Sequence, residues 1–196
     1  MEEKVKPVYE TSRLVLRYWR KRDVVWLKKW GRDPRVAIPT GWSPVISYVQ
    51  GLEMVMTGYQ KPWAFAIEEK ETQRVIGSLT LMPLSQGHFN LDPDELEIGY
   101  WIARPCWGKG YMKEALECVM DDLFENRGFQ RIWCICAADN TQSIRVQEKL
   151  GFRYNKTENI WQQALGKHVP SRISLLDASD WRKLHHGRSV SESPSS

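Results

Sequence analysis

The chain has 196 residues, of which 42% are hydrophobic and 27% charged, and it carries a net charge of +4 with a pI near 8.9. That length suits one substantial core and is short for two. No apolar run reaches the ~18 residues of a membrane span, no apolar signal core follows Met1, and no Lys/Arg block is long enough for a nucleic-acid arm. A cytoplasmic protein is expected, with no direct nucleic-acid or membrane binding.

In chain order, residues 1–9 read as a flexible start. Leu14 to Tyr18 reads as a short strand. Asp23 stands at an N-cap position ahead of Val24, Trp26, Leu27 and Trp30, and Gly31 and Pro34 end that helix. Pro39 to Pro44 is turn-rich and carries Trp42. Val45 to Tyr59 is weakly helical, interrupted by Gly51 and Gly58. Trp63 to Glu68 and Arg74 to Met82 pair as strands around a polar turn. Ser85 to Asp94 is a loop holding His88, Asn90, Asp92 and Asp94.

Glu95 to Ala103 is the next strand, and it feeds Trp107-Gly108-Lys109-Gly110-Tyr111. A helix leaves that turn, because Met112, Ala115, Leu116, Val119, Met120, Leu123 and Phe124 recur at helical spacing, with Gly128 as its stop. Arg131 to Ala138 reads as a short buried strand. Asp139 to Ser143 supplies helix-start chemistry, and the helix closes at Gly151 ahead of Phe152. Arg153 to Trp161 and Ser171 to Leu176 are expected strands joined across Gly166. Ser179-Asp180-Trp181 opens a last helix. Residues 187–196 are Ser-rich and expected to be disordered, which leaves 10–186 as a single domain. Strands interleaved with helices give an α/β (α+β) class, a mixed sheet with helices on both faces.

Two glycines at a helix start let the backbone approach a ligand, and the first-turn N–H groups with the helix dipole make a seat for phosphate oxygens. A P-loop is excluded because Gly110, not Ser or Thr, follows Lys109, and the dinucleotide fingerprint fails because position 113 is Lys. Taken alone, Gly108-x-Gly110 reads as a plain strand-to-helix turn. Cys134 and Cys136 lie two apart on one strand with no second Cys or His pair at zinc spacing, so they read as buried thiols and no metal site is expected. Cys106 adjoins the turn, but no His is visibly paired to it as a nucleophile would require.

Three motifs taken together carry more. Glu97-Ile98-Gly99-Tyr100-Trp101, then Trp107-Gly108-Lys109-Gly110-Tyr111 with Glu114-Ala115, then Asn140-x-x-Ser143 with Glu148-Lys149-Leu150-Gly151-Phe152 resemble the GNAT N-acetyltransferases. Within that superfamily they look like the branch that acetylates N-termini of ribosomal proteins. The Thr11-Ser12-Arg13-Leu14 opening is similar to that branch too, and the resemblance spans roughly Glu10 to Leu184.

The resemblance implies a mostly antiparallel central sheet whose strands splay beside the glycine turn, with the thioester of acetyl-CoA in the gap. It implies direct acetyl transfer to a primary amine, a protein N-terminus first. The alternatives are a small amine (aminoglycoside, polyamine or amino acid) or a non-catalytic acyl-CoA-binding protein of the same fold. A nucleic-acid-binding module is suggested only by the mild basicity. The pyrophosphate falls to backbone amides of Trp107, Gly108, Lys109, Gly110, Tyr111 and Met112. Ile98, Tyr100 and Ile102 share one strand face and are expected along the coenzyme, with Asn140 and Ser143 beside it. Glu97 shares the other face with Gly99 and Trp101, and is the candidate general base, directly or through a water; its structural alternative is an edge carboxylate. Ser143 is the candidate acid for the leaving thiolate, or a first-turn cap. Two positions depart from the family pattern: Pro105 replaces a usual Gln or Arg, and Gln147 a usual Tyr. Trp42 and Tyr48 are expected over the acceptor site. Asp92, Asp94 and Glu95 are expected either to attract a cationic amine or to be a solvated loop. The many Trp are expected in the core or on a dimer surface, so a homodimer is carried as a candidate assembly.

Overall fold

A computed structural model describes residues 8–44, 47–59, 63–83, 88–89, 91–162 and 164–185. Eight strands run β1 (Tyr9–Glu10), β2 (Leu14–Tyr18), β3 (Ala64–Glu69), β4 (Arg74–Pro83), β5 (Glu95–Ile102), β6 (Arg131–Ala137), β7 (Arg153–Gln162) and β8 (Lys167–Asp177). The helices are α1 (Val24–Trp30), α2 (Pro34–Ala37), α3 (Tyr48–Glu53), α4 (Tyr111–Asp121), α5 (Thr141–Lys149) and α6 (Ala178–His185). They meet the expected α/β (α+β) class in one sheet of order β1-β2-β3-β4-β5-β6-β8-β7. Every neighbouring pair is antiparallel except β5 and β6.

The alternation of β5 decides where the two cores lie. Leu96 and Ile98 face α4, where Ala115, Leu116 and Val119 meet them at helical spacing and Trp181 of α6 closes the layer. Trp101 faces the other way, onto Val24 and Leu27 of α1, with Val36 and Val55. Helices therefore cover both faces of the sheet, which hides apolar side chains that alternation alone leaves half exposed.

β5 is held differently along its two edges. Its register with β4 runs unbroken from Leu96 to Ile102. Its register with β6 covers only Glu95 to Ile98, against Arg131 to Cys134. Beyond Ile98 the strands part, since Ile135 to Ala137 pair with β8 alone. The splay implied by the family resemblance is present.

Some local features differ from the sequence reading. Tyr9, expected in the flexible start, is buried in β1, and its hydroxyl donates to Asp122 Oδ2 at 2.8 Å. Residues 1–7 and 186–196 lie outside the described residues, as do Val45, Ile46 and Asn90. Asp23 begins α1 but does not cap it, because Arg17 takes its carboxylate at 2.7 and 3.0 Å. β8 starts at Lys167, four residues before the expected Ser171, and that first stretch is largely exposed and shows no alternation to read.

Candidate active site

The glycine turn is built by its own backbone. Gly108 and Gly110 sit at φ +74° and +79°, the left-handed region that disfavours a Cβ. Gly110 is the N-cap of α4 and no side chain caps the helix, so its first-turn N–H groups keep their ligand capacity. The acidic residue of that turn is directed elsewhere: Glu114 accepts from Thr11 Oγ1 at 2.6 Å and from Arg13 Nε at 2.7 Å. Arg13 also donates to the Lys109 carbonyl at 3.1 Å, bracing the loop from outside. Burial works to raise the Glu114 pKa, but the hydrogen bonds from Thr11, Arg13 and Ser12 outweigh it and hold the carboxyl below its usual value.

A cavity of about 300 Å³ opens beside this turn. Gly108 and Gly110 form one wall with Tyr111 and Met112, and the Tyr111 hydroxyl donates to Glu69. Trp107 lines it too, its indole pinned to the Ile102 carbonyl at 2.9 Å. Tyr100 and Ile102 of β5 face Asn140 and Ser143 of α5 across it. Lys109 is on the turn but not in the wall. Arg35, Lys113, Arg145 and Lys149 bring positive charge to the lining, with Arg35 paired to Asp33 and Lys113 to Glu117; among the described residues the lining holds no carboxylate. An uncapped helix start, open space where a Gly108 Cβ would stand and the cations Arg145 and Lys149 in the lining suit a polyphosphate ester such as the coenzyme A moiety of acetyl-CoA.

A second cavity, of about 290 Å³, adjoins the first where β5 and β6 part. Pro39, Thr40, Ile135 and Cys136 line both. Its remaining walls are Glu97, Ile98 and Gly99 of β5, His88 and Gly41, and the β7–β8 hairpin through Ile160, Trp161, Val169 and Ser171. Gln162 ties that hairpin to the opposite wall by donating to the Ile38 carbonyl at 2.7 Å. Ile98, expected beside the coenzyme, lines this second cavity instead.

Glu97 is buried, 2% exposed, and both its oxygens accept from His88. The ring Nδ1 lies 2.7 Å from Oε1 and the backbone N–H 2.6 Å from Oε2. The hydrogen bond to Glu97 raises the His88 pKa above its ordinary value, against a smaller opposing effect of burial. His88 sits in a loop with no periodicity to single it out, and only the return of that loop onto β5 brings it to Glu97.

At the junction of the cavities the Tyr100 hydroxyl lies 2.8 Å from Ser143 Oγ. Gln147 Nε2 donates to the same Oγ at 3.1 Å. Asn140 caps α5, its Oδ1 accepting from the Ser143 N–H at 3.2 Å. Burial pushes the Tyr100 hydroxyl well above the usual tyrosine value. A phenol therefore reaches this point from β5, while the α5 position at which the family usually has a Tyr holds Gln147. Burial also raises the thiols of Cys106 and Cys136. Trp42 packs on Trp101 at a ring distance of 5.4 Å, and Tyr48 is half exposed. Pro39 to Gly41 line the second cavity, which neither Trp42 nor Tyr48 lines. Glu95 is paired with Arg131 at 3.0 Å, and neither Asp92 nor Asp94 lines the cavity.

Comparison with known proteins agrees with this geometry. Residues 13–153 match the family model described as an acetyltransferase (GNAT) domain. The chain is 28% identical over 164 residues to the uncharacterized N-acetyltransferase p20 of Bacillus licheniformis, covering 81% of this chain and 89% of that one. It is 34% identical to YkkB of Bacillus subtilis strain 168 over 98 residues, and so spans about half of each, 50% of this chain and 55% of that one. Among solved structures, spermidine N-acetyltransferase from Vibrio cholerae in complex with CoA and spermine superposes with a TM-score of 0.69 at 16% identity, covering 87% of this chain and 99% of that one.

Proposed function

The chain belongs to the GNAT acetyltransferase family, and on that premise we propose that it transfers an acetyl group from acetyl-CoA directly to the α-amino group of a protein or peptide N-terminus. The single observation that carries the choice of acceptor is the charge of the second cavity. Among the described residues its lining offers one carboxylate, Glu97, and His88 already occupies both oxygens. A polyamine or aminoglycoside brings several ammonium groups and needs several anionic partners. A peptide N-terminus brings one. Its α-amino pKa of ~8 also lies nearer neutrality than the ~10.4 of a lysine amine, so less free energy is spent in removing the proton.

The coenzyme is held by the amides that open α4, with Lys113, Arg145 and Lys149 near its phosphates. When bound, acetyl-CoA supplies an electrophilic thioester carbonyl and a thiolate leaving group. The protein supplies three further things. The gap between β5 and β6 orients the two reactants. The Glu97–His88 unit receives the amine proton. Tyr100 donates to Ser143 Oγ, which frees the Ser143 proton to point into the cleft and satisfy the departing sulfur. Transfer is direct because Cys106 and Cys136 are held in the thiol form by burial.

The test is free-thiol release from acetyl-CoA over a panel of N-terminal peptides, spermidine and an aminoglycoside. The expected outcome is a kcat/KM at least ~10-fold higher for the best peptide than for either polycation. Spermidine turned over as well as any peptide would reject this acceptor.

A further inference from the structure

The second cavity contains a proton-transfer unit in a specific order. Glu97 is sealed from solvent, and both of its oxygens accept from one residue. A carboxylate only accepts, so the 2.7 Å contact requires His88 to carry its proton on Nδ1. The tautomer is thereby fixed, and the lone pair of the neutral ring lies on Nε2. The His88 side chain is 52% exposed against 2% for Glu97, and it lines the cavity in which the amine is placed above. Beside it the Phe89 ring packs on Trp133 at 5.5 Å.

Resting on the acetyltransferase reading, we infer that His88, through Nε2, takes the proton from the acceptor amine, and that Glu97 is its positioning residue. In the balanced step, R–NH3+ gives a proton to Nε2, leaving R–NH2 and an imidazolium paired with Glu97. The amine nitrogen then forms a bond to the thioester carbon of the acyl-CoA as the C–S bond breaks. The sulfur leaves with the bonding pair and takes the Ser143 hydroxyl proton, and the second amine proton, relayed through solvent, restores that hydroxyl. The next turnover requires the imidazolium to return its proton to water, which the exposed ring edge permits.

Among the described residues, few other charges compete for this ring. Glu97 faces it from β5, and β6 contributes the thiols of Cys134 and Cys136, both kept protonated by burial. The hairpin residues Ile160, Trp161, Gln162, Val169 and Ser171 and the segment Pro39 to Gly41 bring no formal charge. The carboxylate raises the His88 pKa, so the active neutral ring is lost as pH falls and regained as pH rises through that value.

The test follows kcat against pH at saturating peptide and acetyl-CoA for the wild type, His88→Asn and Glu97→Gln. Alongside it, the His88 ring is titrated by NMR in the complex with peptide and coenzyme A, because kcat reports ionisations of the bound enzyme, and acetyl-CoA binding is measured by calorimetry. The wild type should show one ionisation that matches the NMR value, above ordinary histidine. His88→Asn should lose ~100-fold in kcat and lose that ionisation while still binding acetyl-CoA. Glu97→Gln should keep the ionisation, moved to lower pH in both readouts. A His88→Asn variant within about threefold of wild type would overturn the inference. So would an ionisation that survives in His88→Asn but vanishes in Glu97→Gln, since Glu97 would then be the base. Wild-type protein that binds acetyl-CoA and acetylates no amine would instead reject the acetyltransferase reading, and this inference with it.

Discussion

Tyr100 shows how much one hydroxyl depends on its surroundings. Its phenol lies 2.8 Å from Ser143 Oγ, and burial keeps it protonated across the working pH range. Gln147 donates to the same Oγ from the other side. The phenol also reaches the Ser143 carbonyl at 3.3 Å; the proposed transfer requires it to donate to Oγ, which fills the acceptor capacity of Ser143 and leaves the serine proton free. Tyr100→Phe keeps the ring that packs against the core and removes only the relay. We expect kcat to fall about 10- to 100-fold with little change in the dissociation constant for acetyl-CoA, measured by steady-state kinetics and calorimetry. A loss confined to acetyl-CoA affinity would assign the hydroxyl to coenzyme binding alone. The period-2 pattern of its strand puts Tyr100 on the face of Ile98 and Ile102, and the family resemblance turns that face toward the coenzyme. It does not mark its contact with Ser143, which joins residues 43 positions apart.

At the scale of elements, β5 organises the site because its two edges differ. Alternation from Leu96 to Ile102 sorts the side chains onto two faces, and that much is legible in the sequence. So is α4, whose apolar residues recur at helical spacing from Met112 to Met120, while Leu123 and Phe124 fall in the π-helical turn Asp122–Asn126 that follows it. The unequal lengths of pairing with β4 and β6 are not legible, because hydrogen-bond register has no local signal. For the same reason His88 reads as one loop residue among several until the loop is seen against β5. The β4 edge contains a glycine with a steric purpose. A Cβ on Gly77 would meet the Trp101 carbonyl at 2.5 Å and the Ile102 Cα at 3.3 Å, both backbone. Gly77→Ala must therefore push β5 away just where it supplies Tyr100 and Ile102 to the coenzyme cavity. Overpacking of this kind costs about 1–3 kcal/mol. Urea unfolding should report that loss together with weaker acetyl-CoA binding. Normal stability with normal binding would mean that β5 yields freely and does not set the cavity.

Across the whole molecule, the helical layer over α1 is joined to the sheet by a buried charge cluster. Arg17 of β2 is 3% exposed. It pairs with Asp23 at 2.7 Å and with Glu68 of β3 at 2.6 Å. Asp23 in turn accepts the Arg20 N–H at 2.8 Å, which fixes the entry to α1. Arg17 is thus structural, whereas Arg13, four residues earlier, braces the glycine turn, and the sequence alone does not separate the two roles. The guanidinium compensates two carboxylates at once, one of them with a side chain only 3% exposed. Replacing it by an apolar residue of similar length leaves those charges buried together. Removal of one partner from such a cluster costs about 3–5 kcal/mol, more than the intact cluster contributes relative to an apolar core. Arg17→Met should lower stability by that amount in urea unfolding, and adding Asp23→Asn should restore part of it, because the stranded charge is then gone. Neither cavity includes these residues, so kcat per folded molecule should stay near wild type. A double variant no more stable than Arg17→Met would show that the loss comes from packing of the Arg17 side chain and not from the uncompensated carboxylate.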